Sequence, residues 1–208
     1  MEMRRASLHT LRDFGMGKKA LEDMIEEEVA NFLIYMENRH SNHPVDVRRM
    51  FNVSSLSSLW KMISGESLPL GDVKLEFLIQ KLQELVVEVS NPLIQSSLNN
   101  LLLFRLLNLF GISHQEKIWK ELNDFCDDVV KTNKLKNALD DNCPLSFTEA
   151  MLSKISHSQE ESAVFHKELG ELNLRSILTD FFIAGSDTTS NTLNWSSKTL
   201  TFNVYIGR

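Results

Sequence analysis

Cysteine is scarce in this chain: Cys126 and Cys143 are the only two among 208 residues. Neither belongs to a paired-cysteine motif, which excludes a disulfide-built scaffold and points to a reducing compartment with no disulfide. Proline is nearly as rare, with four residues, so long stretches run without a helix breaker. A basic excess is absent. Twenty-two Lys and Arg stand against 28 Asp and Glu, a formal charge of −6, which excludes nucleic-acid binding as the main function. Arg4, Arg5, Arg12, Lys18 and Lys19 do cluster, but Glu22, Asp23, Glu26, Glu27 and Glu28 follow at once, and both runs read as solvated helix faces. No hydrophobic run is long enough to cross a bilayer, which takes about 20 apolar residues. The most apolar stretch, "LLLFRLLNLFGI" from Leu101 to Ile112, carries Arg105 and Asn108 and reads as a core or membrane-surface segment. No signal peptide, phosphate-cradling glycine loop, nucleophile elbow or dinucleotide fingerprint occurs. His40 and His43 have a metal-like spacing in "RHSNHP", with no further ligand nearby; the expectation is a solvated pair and no metal site.

What remains is an ordinary composition, 42% apolar and 24% charged, in a length that suits one globular unit. The pattern predicts helix after helix, an all-α fold. Leu21, Met24, Ile25, Glu28, Val29, Phe32, Leu33 and Met36 form an amphipathic stripe with one charged interruption, stopped before Pro44. A second helix starts near Asp46 as N-cap and carries Met50, Phe51, Leu59 and Trp60. A third repeats Leu75, Leu78, Ile79, Leu82, Leu85, Val86 and Val89 until Pro92. A fourth spans roughly 114–136 with Ile118, Leu122, Phe125 and Val129 inward, and the last begins near Glu160. Trp60, Trp119 and Trp195 read as packing residues. Only at the end does the period change: Leu200, Phe202, Val204 and Ile206 alternate with polar or small neighbours, a strand-like pattern.

The last helix holds an anomaly. In "FFIAGSDTTSNTLNW", residues 181–195, the stretch from Ser186 to Thr192 is short, polar and poor at holding a helix. Yet Leu174, Ile177, Leu178, Phe181, Phe182 and Gly185 place it in the frame of a buried helix face. Thr188 can bond back to the Ala184 carbonyl and Gly185 admits a close neighbour, so the helix is expected to open there. On the residues alone, a polar structural helix and a functional site both stand.

"AGSDTT", Ala184 to Thr189, preceded by "DFFI" and followed by "SNTLNW", resembles the central distal helix of the cytochrome P-450 monooxygenases, whose motif is small-Gly-x-acid-Thr-polar. "RRASLHTLRDFGMGKKALEDMIEEEVANFL", from Arg4 to Leu33, is similar to the heme-flanking helix and its successor in the second-family microsomal members. "LWKMISGE", "LLLFRLLNLFGISHQEKIWKEL" and "FTEAMLSKI" resemble the middle of the same enzymes. The resemblance covers about residues 2–196. It implies a domain over 1–196, a partial fold from the heme-flanking helix through the distal oxygen-binding helix, and a divergent tail over 197–208.

By position, the resemblance makes Asp187 the acid and Thr188 the hydroxyl that relay protons toward dioxygen. Ala184 and Gly185 become the heme and oxygen groove, and Arg4 the partner of a heme propionate. It implies a heme cofactor, a lipophilic small-molecule substrate, a flavin-containing reductase, no nucleic acid, and the cytoplasmic face of the endoplasmic reticulum membrane, without a transmembrane anchor in this chain. The "LLLFRLLNLFGI" region corresponds to the part that roofs the substrate cavity and touches the bilayer. The family's Phe-x-x-Gly-x-x-x-Cys iron loop and Glu-x-x-Arg helix do not occur. Leu122 and Leu139 stand where the glycine before Cys126 and Cys143 would be. The expectation is therefore a truncated segment, inactive by itself for want of an axial thiolate. The alternative is a non-enzymatic helical protein that binds a lipophile, a partner or a membrane surface.

Overall fold

The computed structural model describes residues 2–13, 16–40, 47–97, 99–137, 146–158 and 164–206. Within them lie α1 (Glu2–Asp13), α2 (Lys19–His40), α3 (Val47–Ser64), α4 (Val73–Ser90), α5 (Pro92–Ser97), α6 (Leu101–Leu109), α7 (Gln115–Asn137), α8 (Phe147–His157) and α9 (Lys167–Ile206). No strand occurs among the described residues. The fold is all-α, as the periodicity predicts.

Local chemistry sets the boundaries. Asp72 caps α4, accepting from the Lys74 N–H at 2.7 Å. Asn100 caps α6 through the N–H groups of Leu102 and Leu103, both at 3.2 Å. Ser146 caps α8, accepting from the Glu149 N–H at 3.1 Å. Pro92 opens α5, where its missing N–H costs nothing. The Asp46 cap expected for α3, along with His43 and Cys143, lies outside the described residues.

The core gathers around α3. Its Leu56, Trp60 and Ile63 are buried with Leu75, Leu78 and Leu82 of α4, Leu122 and Val129 of α7, Met151 of α8, and Leu174, Leu178 and Phe182 of α9. Trp60 stacks on Phe182 at 6.3 Å between ring centroids, and Phe125 meets the same ring edge-on at 6.2 Å. Leu59 lies beside Gly185 and Trp60 beside Phe182, the order of two antiparallel helices. The start of α9 needs a glycine for space. A Cβ at Gly170 would stand 2.6 Å from the Phe165 carbonyl oxygen and 2.9 Å from Ile155 Cγ1, so only Gly lets the preceding turn cross there.

Several expectations change in the folded chain. The stripe on α2 splits: Leu21, Met24, Phe32 and Met36 are part-buried and Ile25, Val29 and Leu33 are exposed, while its charged interruption, Glu28, is 4% exposed. Glu28 Oε2 accepts from the buried Ser57 hydroxyl of α3 at 2.8 Å, and Lys61 Nζ lies 3.8 Å from its other oxygen. This charge-assisted bond ties α2 to α3 together with the ring contact of Phe32 and Phe51, 5.9 Å between centroids. Glu28 therefore does not share the solvated face of its acidic neighbours. Val86 and Val89 of α4 are exposed, as are Trp195 and, in part, Trp119; of the three tryptophans only Trp60 is a core residue. The strand-like tail is helical, since α9 runs on to Ile206. Among the described residues no strand is available to pair with it, and extending a formed helix costs less than starting a new element.

Candidate functional site

α9 begins at Lys167 and carries the polar string without a break. The expected opening at Thr188 does not occur, although the bond that suggested it forms. Thr188 Oγ1 donates to the Ala184 carbonyl at 2.6 Å. Thr192 repeats the pattern onto Thr188 at 2.8 Å, Thr199 onto Trp195 at 2.9 Å, and Ser190 onto Ser186 at 2.8 Å. A carbonyl oxygen has two lone pairs, so it can take a hydroxyl as a second donor and leave the helical ladder in place.

The string divides between two faces. Ser186 and Ser190 are buried, one and two turns beyond Phe182 on the row that meets α3. Asp180, Ala184, Thr188 and Thr192 recur every four residues on an exposed strip. Asp187 stands half-buried between the faces, and burial raises its carboxyl above the ordinary aspartate range. Gly185 points elsewhere. A Cβ there would meet Leu59 Cδ2 at 3.0 Å, so this glycine serves the approach of α9 to α3.

Four of the five expected site residues, Ala184, Gly185, Asp187 and Thr188, thus share little more than one helical turn. Arg4 is exposed on α1, which docks against α8. Lys154 Nζ of α8 donates to Thr10 Oγ1 at 2.6 Å, and that hydroxyl donates to the Ala6 carbonyl at 2.9 Å. No described contact joins Arg4 to the α9 strip.

The strip fits one side of a flat apolar cofactor. Between Asp180 and Thr192 its exposed positions carry only a methyl and a hydroxyl side chain, with a carboxyl of raised pKa at its edge. The residues do not fit an axial thiolate. Cys126 is fully buried between α7 and α9, 3.4 Å from the Thr179 hydroxyl, and its thiol is pushed up to about 11 by burial. Among the described residues no group of His, Cys, Asp and Glu could hold a metal ion.

One surface feature escapes a search for catalytic motifs. Leu102, Leu109 and Phe110 around α6 are exposed, as are Leu93 of α5 and Ile112 just after α6. The signal was the high apolar content of 101–112, which leaves open whether such a segment faces inward or outward. No helix among the described residues is long and apolar enough to cross a membrane.

Comparison with known proteins agrees with this geometry. The family model for cytochrome P450 matches residues 1–197. Cytochrome P450 2J3 of Rattus norvegicus is 30% identical over 197 residues, 94% of this chain and 38% of the relative. Cytochrome P450 2H2 of Gallus gallus is 32% identical over 198 residues, 93% of this chain and 38% of the relative. Cytochrome P450 2D27 of Mesocricetus auratus is 31% identical over 199 residues, 94% of this chain and 38% of the relative. The chain therefore spans well under half the length of these relatives. A match over nearly all of the chain, on an all-α fold whose longest helix carries the small-Gly-x-acid-Thr motif on an open strip, means that this chain belongs to the cytochrome P450 family of heme-dependent monooxygenases.

Proposed function

We propose that these residues form the oxygen side of a heme monooxygenase site, in a protein that oxidises a lipophilic small molecule with one atom of dioxygen and electrons from a flavin-containing reductase. The supporting observation is the shared turn of Ala184 and Thr188 on the open strip of α9, with half-buried Asp187 at its edge. Heme, when bound, supplies the oxygen-activating chemistry.

This chain's own residues have separate tasks. Ala184 keeps the strip low, so a planar group and a diatomic molecule can approach the helix. Asp187 holds a proton at its carboxyl more readily than an exposed aspartate, because burial penalises its charge. Thr188 Oγ1 is parked on the Ala184 carbonyl, with lone pairs free to accept from Asp187 or water, and one rotation about χ1 turns its proton outward. Gly185 lets α9 sit close enough to α3 to hold this register. Arg4 on α1 is the proposed partner of a cofactor carboxylate.

The exposed apolar side chains around α5 and α6 support a membrane-facing surface, and we place the protein on the cytoplasmic face of the endoplasmic reticulum membrane. The Phe-x-x-Gly-x-x-x-Cys pattern is not among the 208 residues, and Cys126 is buried. On this reading the segment alone does not turn over, and activity would need an iron-binding sulfur from outside it. The other reading is a non-enzymatic helical protein that binds a lipophile, a partner or a membrane through faces such as exposed Ile25, Leu33, Trp195 and Leu200. Purified chain mixed with hemin, reduced and treated with carbon monoxide should give no thiolate-type absorption band and no reductase-dependent turnover. Turnover by the 208-residue chain would contradict the assignment of the missing sulfur.

A further inference from the structure

Three helices, α6, α7 and α9, line an open pocket of about 500 Å³. Gln115, Trp119 and Asn123 recur every four residues on the α7 face that borders it, and Phe104 of α6 and Arg175 of α9 contribute from the neighbouring helices. The pocket is not the strip. Arg175 and Ala184 stand nine residues apart, two and a half turns at 3.6 residues per turn, which puts them on opposite sides of α9.

The lining holds donors that the fold leaves unused. Arg175 gives one terminal N–H to Asp127 Oδ2 at 3.2 Å, while its Nε–H is buried with no hydrogen-bond partner. Gln115 is 5% exposed, and its described bond outside the helix ladder is made by its backbone N–H, to Ser113 Oγ at 3.4 Å, which leaves the side-chain amide unused. Asn123 accepts from the Thr179 hydroxyl through Oδ1 at 3.4 Å, so its amide N–H groups are also unused. A buried donor without a partner is costly, since it has given up water and gained nothing.

Shape and charge narrow what would meet those donors. Trp119 and Phe104 are both part-exposed and offer flat apolar surfaces against which an aromatic ring packs. Around them Glu116 and Asp124 carry negative charge against the single ammonium of Lys120, and Asp127 already neutralises Arg175. The balance is negative, so an anion is disfavoured. A carbonyl oxygen without charge has lone pairs for the donors and meets no such repulsion.

We propose that this pocket is a second small-molecule site, separate from the α9 strip, that takes an uncharged planar aryl ketone, with the ring against Trp119 and Phe104 and the carbonyl oxygen accepting from Arg175 Nε–H. It is a binding site only, and neither heme nor turnover is needed to observe it.

Indanone, its carbonyl conjugated to the ring, and indane, the same skeleton without the carbonyl, are the probes. Binding is followed in the isotope-labelled chain through the Arg175 Nε–H, the Trp119 indole N–H and the Gln115 side-chain amide. Both probes should shift the Trp119 signal, but only indanone should move the Arg175 Nε–H, and it should bind roughly three- to tenfold more tightly than indane, the worth of one hydrogen bond. Arg175→Lys keeps a positive charge for Asp127 without the Nε–H and should erase that preference. Trp119→Ala should weaken both probes and keep it. Should Arg175→Lys not fold, the Arg175 Nε–H shift in Trp119→Ala, a change at a part-exposed position, carries the same decision. Equal affinity for the two probes, an Arg175 Nε–H that neither moves, or first shifts at Leu102 and Leu109 or on α2 would overturn the site. So would pocket signals that change with protein concentration in the absence of a probe, because a second copy of the chain would then fill the groove.

Discussion

Asp187 and Thr188 are neighbours in sequence, but the helix holds them differently, and their substitutions should report different things. Burial raises the Asp187 carboxyl above its unfolded value. Between those two pKa values the folded state binds more protons, so stability falls as pH rises through the window. Asp187→Asn should therefore unfold at higher denaturant than the parent chain at pH 7, and the difference should vanish below about pH 3.5, where both forms are uncharged. A constant difference across that range would mean that burial does not disfavour the charge. Thr188→Ala removes a hydroxyl that bonds to its own helix on an exposed face; its effect on stability should stay within about 0.5 kcal/mol. The two glycines can be ranked. Gly170→Ala meets backbone at 2.6 Å, whereas Gly185→Ala meets only the mobile end of Leu59 at 3.0 Å. The first should cost roughly 1–3 kcal/mol. The second should come within about 1 kcal/mol of neutral, since Ala gains about 1 kcal/mol of helix propensity over Gly. Denaturant midpoints of the two variants decide it. The motif around Thr188 was legible because adjacent residues of one helix keep their spacing in any fold. The partner of Gly185 was not, because Leu59 lies 126 positions away in sequence and no local pattern points to it.

The helix that departs most from its pattern is α2. Periodicity identified the helix, but of its stripe the chain buries the charge, covers Leu21, Met24 and Phe32 in part, and exposes Ile25, Val29 and Leu33. Period alone specifies which residues share a face, not which partner that face will meet. The partner here is the hydroxyl of Ser57, one of a serine-rich run on α3 that local pattern treats as filler. Ser57→Ala should cost about 1–3 kcal/mol, because it leaves the Glu28 carboxylate buried without its 2.8 Å donor. Combining it with Glu28→Leu should recover most of the loss, as replacing both members of a buried polar pair often does. A double variant no more stable than Ser57→Ala would show that the contact does not hold α2 in place. α7 behaved as its pattern predicts, with Ile118, Leu122 and Val129 buried. Its Cys126, with a thiol at about 11, should react with an alkylating reagent at neutral pH only as fast as the chain unfolds. Rapid alkylation of the native chain would contradict its burial.

At the scale of the whole molecule, the sequence carried the family and the five helices with a clear period, α2, α3, α4, α7 and α9, because both rest on local spacing, while the short α5, α6 and α8 were not marked by theirs. What it could not carry was which faces the rest of the fold leaves open. Ile25, Val29 and Leu33 on α2, Leu102, Leu109 and Phe110 around α6, and Trp195 and Leu200 on α9 are all exposed, in a chain that spans 38% of the length of its relatives. Any of these faces could attract a flat lipophilic molecule, and only the α9 strip combines openness with an acid and a hydroxyl. The most direct test of that choice uses ferric heme as a paramagnetic probe, titrated into isotope-labelled chain while amide resonances are followed. Line broadening should begin at Ala184, Asp187, Thr188 and Asn191 and fade along α9 in both directions. Broadening that begins instead at Leu102 to Phe110, or on α2, or at every exposed apolar face alike, would contradict the assignment of the α9 strip as the heme side of this chain.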